Sequence, residues 1–292
     1  MKTSPLRQQL IESLTLKGYS PRTIESYVWA VASLADYHHR SPAVLDTREV
    51  RAFLLHLHTD KSYAASTINV IINGIRYFYR EVLDQPLGGL KDSLPRPRKV
   101  TRRPQVYSVQ EVKQLLERGF LSPMHRTLSM TLYGGGLRLG EALRLKPEHI
   151  DSGRMFIRVV QGKGRKDRYT VLPQQLLRQL RAYWRSHHPH PWMFPSRQRP
   201  DQPVSQESVR RTFISALERA GLPRKGGPHI LRHSFATHHL ENGTPLHVIK
   251  RFLGHNSATT TAAYLHITRH TLNLVVSPLD AMNLTTPETA QD

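Results

Sequence analysis

Cationic, imidazole and phenol side chains gather in five short stretches between residues 134 and 267. In GGGLRLGEALRL (134–145), Arg138 sits among leucines with Glu141 one turn on, spaced for an ion pair that would orient the guanidinium. In GKGRKDR (162–168), glycines on both sides of Lys163 let the backbone approach a ligand closely, and four of the seven residues are basic. A lysine on such a turn suits a phosphate or a leaving oxygen. His229 and Arg232 stand three apart in His229-Ile-Leu-Arg232-His233, which heads a helix, so both can reach one anion at its N-terminus. His255 follows Gly254 in FLGHNS, and Tyr264 lies in TTTAAYLHI. Each stretch has an ordinary alternative: a surface Arg–Glu pair, a solvated basic turn, a tyrosine packed for bulk. A zinc site at His229, His233, His238 and His239 is not expected, because there is no cysteine and no HExxH arrangement.

The elements that must position these residues can be read from periodicity and caps. Over the first 85 residues the chain reads as four short amphipathic helices. Leu6, Leu10 and Leu14 share one face. Ser20-Pro21 marks a start, and Ile24, Tyr27, Val28, Val31 and Leu34 recur at helical spacing behind it. A third helix opens at Asp46 with Glu49 as capping box and buries Val50, Phe53, Leu54 and Leu57. A fourth runs from about Tyr63 to Val82. Residues 86–104 (PLGGLKDSLPRPRKVTRRP) then break the pattern, since proline removes donors and glycine adds chain entropy. This linker carries six basic residues against one acid, among them Arg96, Arg98, Lys99, Arg102 and Arg103. Beyond it Ser108 and Glu111 cap another helix. Helices are expected near 124–133, 138–146, 174–186, 205–220, 231–241 and 245–253. MFIRVV (155–160) and RYTVLP (168–173) read as two strands of a hairpin.

Bulk composition narrows the partners. The 292 residues suffice for two domains of ordinary size, and 38% hydrophobic content fills real cores. Lysine and arginine number 42 against 22 acids, a formal charge of +20. Such an excess attracts polyanions, nucleic acid foremost, with binding that weakens as salt rises. No run of apolar residues is long enough to span a membrane, and the first residues have no signal-peptide core, so an intracellular protein is expected.

Taken in order, G-L-R-x-x-E-A-L, G-K-G-x-K-x-R, H-x-L-R-H, L-G-H and a tyrosine resemble the motif set of the tyrosine recombinase/integrase family. The spacing also resembles that of Xer-like bacterial members: Arg232 to His255 is 23 residues and His255 to Tyr264 is nine. Tyr19, Ser20, Thr23 and Tyr27 match the signature of the family's N-terminal bundle, so the likeness spans nearly the whole chain. It implies a mainly α fold with a small α+β catalytic domain: a four-helix core-binding domain over 1–85, the basic linker 86–104, the catalytic domain over 105–284 and a frayed tail at 285–292.

The resemblance also implies roles. Tyr264 would attack the scissile phosphate, Arg138 and Arg232 would clamp its non-bridging oxygens, and Lys163 would protonate the 5′-oxygen leaving group. His229 would shuttle the proton near Tyr264, His255 would hydrogen-bond the phosphate, and Glu141 would orient the first arginine. The linker cations with Arg165, Lys166 and Arg168 would lie on DNA. No metal, cofactor or ATP is implied. The expected partner is double-stranded DNA with paired half-sites, gripped by a two-domain clamp, with a homotetramer on synapsed sites in the cytoplasm. A type IB topoisomerase and a non-catalytic DNA-binding protein are the rival readings. The tail NLVVSPLDAMNL (273–284) differs from the short terminal helix of Xer-like chains and resembles the SPLD tail of integron integrases. Yet Pro173 to Ser205 is too short for the integron insertion before the His-x-x-Arg box, so a mobile-element or phage-associated integrase is expected.

Overall fold

The computed structural model describes residues 4–84, 105–160 and 167–254, and its internal contacts divide the chain into two compact units, Met1–Thr101 and Arg102–Asp292. In the first unit the four expected helices form: α1 (Pro5–Leu16), α2 (Pro21–His38), α3 (Thr47–Thr59) and α4 (Ala65–Glu81). Their starts follow local chemistry. Ser20 Oγ accepts the Thr23 N–H at 3.3 Å, and Asp46 and Glu49 exchange side-chain-to-backbone bonds of 2.8 Å each way, satisfying donors the first turn leaves open. The apolar stripes then meet in one core built on Leu10, Leu14, Leu34, Phe53, Ile68, Ile75 and Phe78. Helices α2 and α4 pack closely because Gly74 has no side chain. A Cβ there would lie 3.1 Å from the Tyr27 Cα.

The second unit opens with α5 (Val109–Gln114), capped reciprocally by Ser108 and Glu111 and continuing as one π-helical turn, Leu115–Gly119. Then come α6 (Pro123–Gly134), α7 (Leu139–Leu143), and a three-stranded antiparallel sheet of β1 (Ile150–Asp151), β2 (Phe156–Val159) and β3 (Arg168–Val171). Helices α8 (Gln174–His187), α9 (Gln206–Arg219), α10 (His229–Glu241) and α11 (Leu246–Leu253) complete it. The fold is therefore mainly helical with one small sheet, as expected.

Two expectations are corrected. The helix anticipated over 138–146 lasts only from Leu139 to Leu143. Pro147 disfavours helical backbone at Lys146, which is extended at φ −115° and ψ 157°. The sheet also has a third strand, β1, whose two residues pair with Phe156 and Ile157 and are too short to leave a sequence pattern.

Strand register decides which side chains turn inward. Val159 pairs with Arg168 and Ile157 with Thr170, and Ile157, Val159 and Thr170 are all buried. Alternation therefore puts Arg168 on the inner face and leaves Tyr169 exposed.

Candidate active site

Arg138 is the N-cap of α7, extended at φ −71° and ψ 150°, so its side chain starts outside the helix while Glu141 lies in the first turn. Glu141 Oε2 accepts the Arg138 backbone N–H at 2.8 Å, and Oε1 accepts Nη1 of the same arginine at 2.8 Å. The carboxylate is 5% exposed. A second arginine grips it: Arg168 Nη1 and Nη2 donate to Oε1 and Oε2, both at 2.7 Å, in a two-pronged pair. Arg232, itself 4% exposed, brings its Nη1 to 3.8 Å from Oε2. Three guanidiniums thus surround one carboxylate. Burial pushes the Glu141 carboxyl up, but Arg168 and then Arg138 outweigh it and hold the group down at about 2.

The same arginines finish helix α11. Its last carbonyls have no partner within the helix. Arg168 Nε donates to Phe252 O at 2.9 Å, Arg232 Nη2 to Leu253 O at 2.6 Å and Arg138 Nη2 to Gly254 O at 3.3 Å. Three consecutive carbonyls take one arginine each, and cations are favoured at that end of the helix dipole. Arg232 also donates through Nη1 to Gly136 O at 2.6 Å. Gly136 has φ +61°, and a Cβ there would lie 2.6 Å from the Phe235 ring, so only glycine serves.

His229 is the first residue of α10, and its ring is exposed. Partial withdrawal from water, then the charges of Arg232, Arg210 and Arg138, hold its pKa below the ordinary imidazole value. At neutral pH it is an uncharged base beside a cluster of cations.

Of the residues singled out in the sequence, the structure brings together Arg138, Glu141, Arg232 and His229. Arg168 joins them. Expected on DNA, its side chain is turned inward and only 11% exposed, because period-two alternation places it on the sheet's inner face. Lys163, Arg165 and Lys166 lie outside the described residues, as do His255, Tyr264 and the linker cations Arg96, Arg98, Lys99, Arg102 and Arg103. Strands β2 and β3 flank the Lys163 segment, and Gly254 directly precedes His255. Sequence reasoning also passed over Arg210, an exposed cation on α9 whose charge reaches His229. Nothing in its own stretch sets it apart. Among the described residues no group of three or more His, Asp or Glu side chains is arranged to hold a metal, and no helix is long and apolar enough to cross a membrane.

A mainly helical unit with three arginines around one buried carboxylate, preceded by a four-helix bundle, defines a class, and comparison with known proteins agrees. Residues 106–270 match the phage integrase family, and residues 6–89 match the N-terminal SAM-like domain of phage integrases. The chain belongs to the phage integrase family, that is, the tyrosine recombinases. It is 36% identical to a putative integrase/recombinase of Sinorhizobium fredii over 96% of this chain and 90% of that one. It is 33% identical to the tyrosine recombinase XerA of Pyrococcus furiosus, over 92% and 93%. Among solved structures, a lambda integrase dimer bound to a core site superposes with a TM-score of 0.72 at 19% identity, covering 89% of this chain and 93% of that one. XerH bound to its palindromic difH substrate after cleavage gives 0.69 at 19%, over 91% and 83%. Both likenesses speak to the fold.

Proposed function

We propose that the chain is a site-specific recombinase that cuts and rejoins duplex DNA through a covalent link to Tyr264. One observation carries the reading: three guanidiniums share a single buried carboxylate, so the cluster holds two positive charges more than it balances internally. Such an excess, preorganised and poorly hydrated, stabilises the negative charge that builds on a phosphate in the transition state. The family membership, with lambda integrase and XerH solved on DNA, supports duplex DNA as the source of that phosphate.

The step conserves phosphodiester bonds. The Tyr264 phenol oxygen attacks phosphorus, and the bond to the 5′-oxygen breaks. The phenol proton passes to His229, uncharged at neutral pH, and Lys163 supplies a proton to the departing 5′-oxygen. Arg138 and Arg232 hold the non-bridging oxygens, and His255 adds a hydrogen bond. A free 5′-hydroxyl from the second duplex then attacks the 3′-phosphotyrosyl ester and releases the tyrosine. The ester retains the bond energy, so neither ATP nor a metal ion is required. Repeated on paired strands, the exchange passes through a Holliday junction in a tetramer, with two protomers on each site.

A substrate nicked next to the scissile phosphate tests the reading, because the released fragment diffuses away and traps the adduct. Wild-type protein accumulates on DNA as a covalent complex, and Tyr264→Phe gives none. Trapping of both, or of neither, refutes the assignment. Relaxed supercoils without recombined junctions would identify a topoisomerase instead.

A further inference from the structure

We infer that Arg168 is a positioning residue for strand transfer: by gripping Glu141 and the end of α11 together, it sets where Arg138 and Arg232 stand. The inference rests on the functional reading above. Its substance is the division of labour around one carboxylate. Arg168 occupies both oxygens of Glu141 at 2.7 Å, whereas Arg138 shares one of them at 2.8 Å through its side chain and Arg232 stays at 3.8 Å. With both oxygens taken by Arg168, the carboxylate accepts the Arg138 side chain on one of them only and leaves Arg232 at 3.8 Å. Without the fork, Arg138 can take both oxygens and Arg232 can close on them, and both shift away from a bound phosphate.

The second hold is on α11. Arg168 Nε takes Phe252 O, the first of the three successive carbonyls whose other two go to Arg232 and Arg138. The three bonds act as a ruler that aligns β3, α10 and the start of α7 against one helix end. Gly254 completes the fit. It sits at φ +61°, and a Cβ there would lie 2.7 Å from the Arg168 Cδ and 3.0 Å from its Nε. Stability alone is a weak account of such a cluster, since apolar replacements of buried ion networks are often neutral or stabilising.

Arg168→Lys is the informative variant. It keeps one charge in place and loses the fork and the Nε bond. Single-turnover cleavage of the nicked substrate at saturating protein is expected to fall about 100-fold, the cost of a misplacement near 1 Å. Duplex affinity and its salt slope should match wild type in gel-shift titrations. Arg168→Met combined with Glu141→Gln should lose less than the product of the two single losses, because the two residues share the Arg168–Glu141 contact.

Cleavage by the Lys variant within threefold of wild type overturns the inference. So does a multiplicative double variant. A weaker duplex affinity with a salt slope reduced by about one would make Arg168 a phosphate contact, and loss of cooperative melting in the Lys variant would make it a folding residue; either result overturns it too. Failure of the wild type to form an adduct removes the functional reading itself, which separates the two failures.

Discussion

The two units bury different things. In the first, every buried side chain among the described residues belongs to an apolar cluster, from Leu10 to Tyr79. In the second, the described residues bury Glu141 and Arg232, together with Thr127, Ser129, Thr131, Thr170, Ser234, Thr237 and His238. The first unit is held by area removed from water, which is tolerant of detail. The second keeps charges out of water in a fixed array, which costs desolvation and is repaid only if the geometry is held. That difference is what would separate a scaffold from the proposed reaction centre. It says that substitutions in the two units should fail in different ways.

The sharpest break is at Arg232. Arg232→Ala should lower single-turnover cleavage by roughly 10³-fold, about 4 kcal/mol, while gel shifts show duplex affinity nearly unchanged, because its charge matters most in the transition state. A parallel loss of affinity would place its contribution in ground-state binding instead. Next comes the acid response of Glu141. Its carboxyl lies at about 2 in the folded chain against an ordinary 4.5. The sign follows: a depressed carboxyl contributes stability above pH 4.5 that is lost as pH falls toward 2. This contribution is roughly 3 kcal/mol. Denaturant titrations across that window should show the loss in wild type and a flatter curve for Glu141→Gln. A curve as steep in the variant would assign the loss to other carboxylates.

In the first unit the contrast should reverse. Ile75→Ala empties a fully buried site and should cost about 2–3 kcal/mol in urea titrations, at the low end of the range for such truncations, without changing the pH dependence of stability. A pH-dependent cost would mean that an ionisable group is coupled to that core. Smallest is the cap: Asp46→Ala removes the oxygen that holds the Glu49 N–H at 2.8 Å and should cost about 1 kcal/mol by the same measurement. No change would show that water replaces the cap at no cost.

Legibility followed the same divide. The helices of the first unit could be read almost to the residue, because Ser20, Asp46 and the apolar repeat act over one turn or two. In the second unit Ser108 with Glu111 was equally plain, and Arg138 with Glu141 was visible as a pair three apart. The short span of α7 could have been anticipated from Pro147. Strand β1, two residues long, could not. Arg168 is legible as a cation in a basic turn, whereas its grip on Glu141 is not. The alternation of Tyr169 and Thr170 beside it, set against Ile157 and Val159, was the one local signal that it turns inward.

The chain by itself determined its helices, its two-part division of basic linker and apolar flanks, its polyanion-seeking charge and the ordered motifs that it shares with its family, since each depends on neighbours within a few positions. Only the folded molecule decided that Arg138, Arg168 and Arg232 meet at one carboxylate and divide three consecutive carbonyls of α11 among them. Those partners lie up to 116 residues apart. No local rule reaches that far, and the balance of desolvation against charge that fixes the cluster exists only once the elements have packed.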